Sequence, residues 1–195
     1  MIVLIDNGHG FNTPGKCSPD GKFKEWKKNR ELARDIYIEL KDDGYDARLI
    51  VTEDEDVSLG ERVRRVNQVC RGTGEPVILV SIHSNASGAD GKWHNARGFS
   101  VHVSLNASDK SKRLASCLWK QAIEYGLKGN RAVPAEKYIA QNLYLLRNTI
   151  CPAVLTENLF YDNEADLALL QSQTGHDSIV MAHVRAINDF VKTLR

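Results

Sequence analysis

The chain has 195 residues, of which 42% are hydrophobic and 26% charged, proportions that are typical of a globular protein. This length suits one domain that buries its own core, and we expect residues 1–195 to form a single domain. Lys and Arg total 26 and Asp and Glu total 25. The resulting net charge of +1 argues against a protein that binds nucleic acid or an anionic membrane surface.

Strand-like and helix-like segments alternate along the chain, which predicts an α/β fold. We predict strands over residues 2–5, 46–52, 77–82, 98–105, 143–146 and 153–156. We predict helices over residues 25–43, around residues 62–69, over 109–125, from Asn163 onward, and over 174–194. The sequence therefore predicts a mostly parallel, twisted sheet of about six strands flanked by helices.

Two predicted strands are each followed by a histidine. His9 comes after the apolar run 2–5 and His83 directly follows the run 77–82. Apolar runs of this length are typical of buried parallel strands, and ligand sites in such sheets gather at the carboxyl ends of the strands. The two imidazoles could therefore share a metal ion. We expect His102 to lie on the solvent-facing side of an alternating strand, and His183 to be a surface or packing residue.

Two glutamates could complete a catalytic zinc site, which takes about three protein ligands and leaves one position open. Glu25 opens the first predicted helix, whose N-terminus points back toward the strand ends and favours a carboxylate. Glu157 directly follows the strand at 153–156, where a carboxylate can move a proton to and from a metal-activated water. The alternatives are a helix-start carboxylate without a metal for Glu25 and a surface or capping residue for Glu157.

Three further polar residues are candidates for substrate binding. Asn85 lies two residues after His83 and could orient a ligand, contact substrate or stabilise a turn. Arg62 and Arg147 could bind carboxylates of a peptide, because a guanidinium group matches a carboxylate in shape and charge. For Arg62 the alternative is a structural ion pair.

The four cysteines, Cys17, Cys70, Cys117 and Cys151, are widely spaced and form no C-x-x-C motif. This spacing does not support a structural zinc site. We expect reduced thiols in or beside the core, although four cysteines also permit one disulfide, for which the sequence selects no pair.

The chain resembles the zinc-dependent N-acetylmuramoyl-L-alanine amidases of the amidase-3 type. The resemblance covers nearly the whole chain and rests on a series of motifs that occur in order, namely residues 6–10, Glu25 with Asn29, Ser58-Leu59 with Arg62 and Asn67, 81–86, 96–98, 145–148, and 151–157 with Phe160, Asn163 and Asp166 downstream. It implies a hydrolase-like α/β fold, one Zn²⁺ held by His9, Glu25 and His83, and Glu157 as the catalytic carboxylate. It also implies cleavage of the amide between N-acetylmuramic acid and the L-alanine of the stem peptide.

Three positions depart from the family pattern. The family often has Pro at the position of Asn7 and a second Gly at the position of Phe11. A Gly is also common two residues after the catalytic Glu, where this chain has Leu159. None of the three is a predicted ligand, so they bear on loop shape and substrate fit rather than on the chemistry.

The sequence thus predicts a peptidoglycan hydrolase that acts at the bacterial cell wall, in the periplasm or outside the cell. A zinc peptidase that cuts within the stem peptide and a noncatalytic wall-binding module are the alternatives. Some regulated members of the family carry a helix that blocks the zinc, but the loop 86–96 has no room for it. We therefore expect no obligatory activator and a monomer. The first apolar run is too short for a signal peptide, which fits a phage-type lysin or a chain without its leader.

Overall fold

A computed structural model describes residues 1–194, and six strands form one sheet in it. The strands are β1 (Ile2–Asn7), β2 (Asp46–Leu49), β3 (Val77–Asn85), β4 (Ser100–Ser104), β5 (Ile139–Gln141) and β6 (Ala153–Phe160). The helices are α1 (Glu25–Asp42), α2 (Leu59–Arg71), α3 (Asp109–Glu124), α4 (Tyr144–Asn148), α5 (Glu164–Gln171) and α6 (Gln173–Lys192).

The strands lie in the order β2-β1-β3-β6-β4-β5, and only the β4–β6 pair is antiparallel in this sheet. The predicted α/β class and mostly parallel sheet of six strands are therefore confirmed. Because β1, β3 and β6 are parallel neighbours, their carboxyl ends meet at one edge of the sheet. The side chains that follow or end these strands are thereby brought together.

Successive side chains of the central strands point to opposite faces of the sheet and pack into two separate apolar clusters. On one face Val3 and Ile78 pack with Leu32 of α1 and Ile187 of α6. On the other face Leu4 and Leu79, together with Ile2, pack with Val66 of α2 and Leu145 of α4. Burying one such side chain is worth about 1.5–3 kcal/mol, so the two faces fix the register of the sheet. Within residues 1–194, no helix has the length and apolar character required to cross a membrane.

The predicted strand at 143–146 is wrong, because these residues begin helix α4. The backbone N–H of Arg147 donates to the carbonyl oxygen of Leu143, which closes a helical turn, and Leu145 and Leu146 are buried on the face covered by α2. Four apolar residues are too few to distinguish a period of 3.6 from a period of two. The short strand β5, with only one hydrophobic β-branched residue, was not predicted.

The prediction that His102 faces solvent is also wrong. Every residue of β4 is buried, because the strand lies between β6 and β5 and both of its faces are covered. His102 is 8% exposed, and its Nε2 lies 3.2 Å from Oγ of Ser100. The alternating side chains of β4 therefore point to two buried faces of the sheet, rather than to one buried face and one face in solvent.

Candidate metal centre

Three predicted ligands come from three different elements at the carboxyl edge of the sheet. His9 lies two residues after β1, with a φ of 67° that few residues other than glycine adopt. His83 lies within β3, which is three residues longer than predicted. Glu25 is the first residue of α1, and its backbone N–H donates to the carbonyl oxygen of Lys16 in the preceding loop.

The structure brings these three side chains into contact. Glu25 Oε2 lies 3.4 Å from His9 Nε2, and Glu25 Oε1 lies 3.2 Å from His83 Nδ1. The two imidazole rings meet edge to face, with their centroids 4.9 Å apart. One ligand atom from each of the three residues lies within 4.8 Å of the others.

The donor set fits a zinc ion, which prefers His nitrogen and carboxylate oxygen in a closely packed group of three. Glu25 Oε2 is buried and has no hydrogen-bond partner among the described residues, although it faces His9. Burial by itself would raise the pKa of Glu25, but the adjacent imidazoles of His83 and His9 hold this pKa well below its usual range. Glu25 is therefore an anion, the form that binds a metal.

Asn29 and Ser84 help to hold the Glu25 carboxylate. Both the Nδ2 group of Asn29, one turn later on α1, and the backbone N–H of Ser84 donate to Glu25 Oε1. Asn29 also donates to the carbonyl oxygen of Gly8. These contacts orient the carboxylate toward the imidazoles, which is the role of residues that support metal ligands.

Gly8 allows the end of β1 to approach His83. A Cβ atom at residue 8 would lie 2.1–2.5 Å from three atoms of the His83 imidazole, closer than any packed contact. Any larger residue at position 8 would displace the imidazole of His83, a candidate ligand.

Glu157 lies on the strand next to His83. It is paired with His83 in the register of β3 and β6, and it lies within β6 rather than after it. Its Oε2 is buried without a hydrogen-bond partner in the described structure. Burial raises the pKa of Glu157 to about 7, with a smaller rise from Glu25, while His83 opposes it. A carboxyl group with such a pKa can both accept and release a proton near neutral pH.

Arg62 supports the ligand loop from inside the protein. It is 2% exposed, and its five N–H donors bind the carboxylates of Asp6 and Asp56 and the carbonyl oxygens of Asn7, Val57 and His9. This placement agrees with the structural alternative for Arg62, although the acidic partners lie before α2 rather than on it. Asp6, which the sequence reading did not single out, also accepts from Ser81. The available sequence signal was an acidic residue that directly continues a buried apolar strand, because such a carboxylate needs a buried partner.

A cavity of about 410 Å³ adjoins the metal centre. It is bounded by His9, His83 and Arg62 and has a mainly apolar wall composed of Val57, Leu59, Leu143, Tyr144, Leu145 and Leu155. The start of α2 and the start of α4 thus form two sides of a cleft beside the candidate ligands. A cleft with polar groups at one end and an apolar wall is typical of a ligand site.

The other two candidate substrate residues lie apart from this cavity's lining. Asn85 ends β3, and its Oδ1 accepts from the backbone N–H of the next residue, Ala86. Arg147 is exposed on α4, where it donates to Asn142 Oδ1 and stacks over Tyr144. Its side chain lines a different cavity, near Ser104 and Pro152.

Comparisons with known proteins identify relatives of this chain. The chain is 30% identical over 97% of its length to an endolysin of Bacillus phage SPP1, and 25% identical over 95% to a sporulation-specific N-acetylmuramoyl-L-alanine amidase of Bacillus subtilis. It spans 66% of the length of each of these two relatives.

Solved structures show the same fold. An N-acetylmuramyl-L-alanine amidase from Mycobacterium smegmatis superposes with a TM-score of 0.85, at 21% identity, over 99% of this chain and 97% of that one. An N-acetylmuramoyl-L-alanine amidase from Clostridium difficile gives 0.82 at 24% identity, over 98% and 97% of the two chains. The amidase-3 family, described as N-acetylmuramoyl-L-alanine amidase, matches residues 3–189. Because this match covers nearly the whole chain, including all four residues of the candidate site, the chain belongs to that family.

Proposed function

We propose that residues 1–195 form a single catalytic domain that hydrolyses peptidoglycan at the amide between N-acetylmuramic acid and L-alanine, with one zinc ion. The observation that carries the proposal is the convergence of His9, Glu25 and His83 within 4.8 Å, with Glu157 paired to His83 on the adjacent strand. A structural zinc site is usually closed by four protein ligands, whereas three ligands with a free acid beside them suit hydrolysis.

In this proposal His9, Glu25 and His83 hold the ion. When bound, zinc supplies Lewis-acid chemistry, since it lowers the pKa of water and polarises an amide carbonyl group. Glu157 Oε2 accepts the proton of the attacking water and then delivers it to the leaving nitrogen of L-alanine. The buried position of Glu157 supports both steps, because it brings the pKa of the carboxyl group to about 7.

The remaining residues position these groups. Arg62 holds the backbone of residues 7 and 9, so we assign it a positioning role rather than direct contact with substrate. Asn85 and Arg147 stay candidates for substrate contact at the edge of the site. Arg147 can reach a stem peptide only if the peptide extends past α4, beyond the cavity beside the ligands.

The experiment is to incubate the protein with muropeptides of defined structure, with zinc and then with a chelator, and to identify the products by mass. We expect a free L-alanine amino terminus and an intact lactyl group, and we expect no turnover after chelation until zinc is restored. Cleavage at another amide of the stem would indicate the peptidase instead. Binding without any cleavage would indicate a wall-binding module.

Replacement of Glu157 by Gln tests the proton carrier. Glutamine keeps the shape of the side chain but cannot carry the proton, so we predict that kcat falls by about 10²–10⁴-fold. The zinc content and the melting temperature should stay close to those of the parent protein. Hydrolysis at an undiminished rate would remove Glu157 from the mechanism.

We further propose that the protein works as a monomer at the bacterial cell wall, in the periplasm or outside the cell, without an obligatory activator. The residues between β3 and β4 contain no helix that could cover the ligands. The similarity to an endolysin and to a sporulation-specific N-acetylmuramoyl-L-alanine amidase supports action on the cell wall. Turnover by the purified chain tests whether an activator is required, and light scattering gives the mass that tests the monomer.

A further inference from the structure

Two of the four cysteines lie side by side at the edge of the sheet opposite the metal centre. Cys70 is the penultimate residue of α2, which leads to the amino end of β3, and Cys151 lies two residues before β6. Both side chains pack against the same apolar cluster and line the same cavity of about 260 Å³. Cys17 and Cys117 belong to other parts of the fold, in the loop before α1 and on α3.

Hydrogen bonds close to the two cysteines hold the end of α2 against the segment before β6. Asn67, three residues before Cys70, donates from Nδ2 to the carbonyl oxygen of Asn148 and accepts at Oδ1 from the backbone N–H of Ile150. Because Ile150 directly precedes Cys151, the backbones on either side of the two thiols are already fixed. The two thiols are also close enough to form a hydrogen bond with each other, and such proximity is the first condition for a disulfide.

We propose that Cys70 and Cys151 form a disulfide bond when the protein meets an oxidising environment, joining the end of α2 to the segment before β6. In the reduced protein all four thiols are free. The inference does not depend on the proposed amidase activity, because the two cysteines lie away from the candidate ligands and the test measures covalent state and stability.

The chemistry balances with a low-molecular-weight disulfide, such as oxidised glutathione, as the two-electron oxidant. The Cys70 thiolate attacks one sulfur of the oxidant and releases a first thiolate. The Cys151 thiol gives its proton to that thiolate and attacks the Cys70 sulfur, which releases the second glutathione as a thiolate. This thiolate takes up from water the proton that Cys70 lost on ionising. Two protein thiols and one small disulfide thus become one protein disulfide and two small thiols.

The surroundings support this order of attack. Burial, the charge of Cys70 and a hydrogen bond with Cys70 raise the pKa of the Cys151 thiol well above its usual range. Cys151 therefore remains protonated while Cys70 reacts first.

The test is to equilibrate the native protein with oxidised and reduced glutathione, alkylate the remaining thiols, and measure intact mass and peptide masses. We expect a loss of about 2 Da and one linked pair of peptides containing Cys70 and Cys151. The bond closes a loop of about 80 residues, so the oxidised protein should melt about 5–10 °C above its own reduced form.

Three variants sharpen the result. In Cys70→Ser and in Cys151→Ser the rise in melting temperature on oxidation should disappear, whereas in Cys117→Ser it should persist. Each variant is compared with its own reduced form, so a loss of stability from the substitution itself does not obscure the answer. Four alkylated thiols after oxidation, stable glutathione adducts, a link to another cysteine, or an unchanged melting temperature would each overturn the proposal.

Discussion

At Leu159 the backbone requires a conformation that a leucine side chain disfavours. The register between β3 and β6 shifts after the pair of His83 and Glu157, and Leu159 lies in this bulge with a φ of 67°. Its side chain is nevertheless fully buried in the core. The glycine that is common at this position in the family would adopt that φ without strain. This chain gains apolar burial at the cost of backbone strain, two residues from the proposed catalytic acid.

Substitution of Leu159 by Ala and by Gly separates the two effects. Both variants lose the buried side chain, which should cost about 2–5 kcal/mol of unfolding free energy. Gly also relieves the positive φ, so we predict that Leu159→Gly is about 1 kcal/mol more stable than Leu159→Ala. Urea denaturation of both variants measures the difference. At Leu79, a fully buried residue in β3 that has no positive φ, the order should be reversed, and the same order at both positions would contradict the argument.

Arg62, which holds the backbone around the candidate ligand His9, forms a buried ion pair with Asp6. Its Nη1 lies 2.5 Å from Asp6 Oδ1, and the exposure of the two side chains is 2% and 1%. Replacement of Arg62 by Met leaves Asp6 charged and unpaired in the interior, so we predict a loss of about 3–5 kcal/mol of unfolding free energy.

The double variant Arg62→Met with Asp6→Leu should recover part of that loss, because no buried charge then lacks its partner. Zinc affinity should remain weakened in both variants, since the carbonyl oxygens of Asn7 and His9 lose their donor. An unchanged zinc dissociation constant would remove the positioning role of Arg62.

Elements that are long or strongly periodic were predicted well, and short ones were not. Helix α1 was expected over 25–43 and runs from Glu25 to Asp42, because its apolar stripe spans several turns. The proximity of His9, His83 and Glu157 could be predicted, because parallel strands present their carboxyl ends at one edge, a rule that needs no tertiary information. Their roles as ligands and catalytic acid stay predictions. Helix α4 has five residues and depends on packing against α2, and strand β5 has three residues and depends on pairing with β4. Segments this short carry too little sequence pattern to reveal those partners. The Asp6–Arg62 pair joins residues 56 positions apart and has no local sequence pattern.

The contact between α2 and the segment before β6 depends on Asn67. Its amide group satisfies two backbone groups of that segment while being only 7% exposed. We predict that Asn67→Ala lowers the unfolding free energy by about 2 kcal/mol, because a carbonyl and an N–H lose their partners in a partly buried site. Chemical denaturation measures this loss, and Gln68→Ala on the exposed side of α2 should change stability by less than about 0.5 kcal/mol. Equal effects at both positions would contradict the bridging role.

For the whole molecule, His183 links stability to pH. This residue of α6 is completely buried, with Nδ1 2.7 Å from the carbonyl oxygen of Ile179 and Nε2 3.0 Å from Oγ1 of Thr156. The carbonyl can only accept, so Nδ1 carries the proton of the neutral ring and Nε2 accepts from the hydroxyl group. Burial lowers the pKa of His183 to about 4 from its ordinary value of 6.5, although the hydrogen bond with Ile179 opposes this.

The sign of the effect follows from proton binding. Between pH 6.5 and about 4 the unfolded chain takes up a proton on His183 that the native protein does not bind. Stability must therefore fall as the pH falls through this window, by up to about 3 kcal/mol. In His183→Gln that part of the pH dependence should be absent, so the stability difference from the parent should change by a similar amount between pH 7 and pH 4.5. A constant difference across this pH range would contradict it.

The order of strands in the sheet also sets an order of assembly. β6 lies between β3 and β4, yet it follows both of them in the chain. Until residues 153–160 have been synthesised, β3 and β4 cannot share a sheet, and each exposes an unpaired edge to the surroundings. The three candidate metal ligands are complete by residue 83, whereas Glu157 arrives with the strand that closes the gap. A growing chain can therefore gather the proposed ligands before the proposed catalytic acid has been synthesised, and the completed sheet coincides with the completed candidate site.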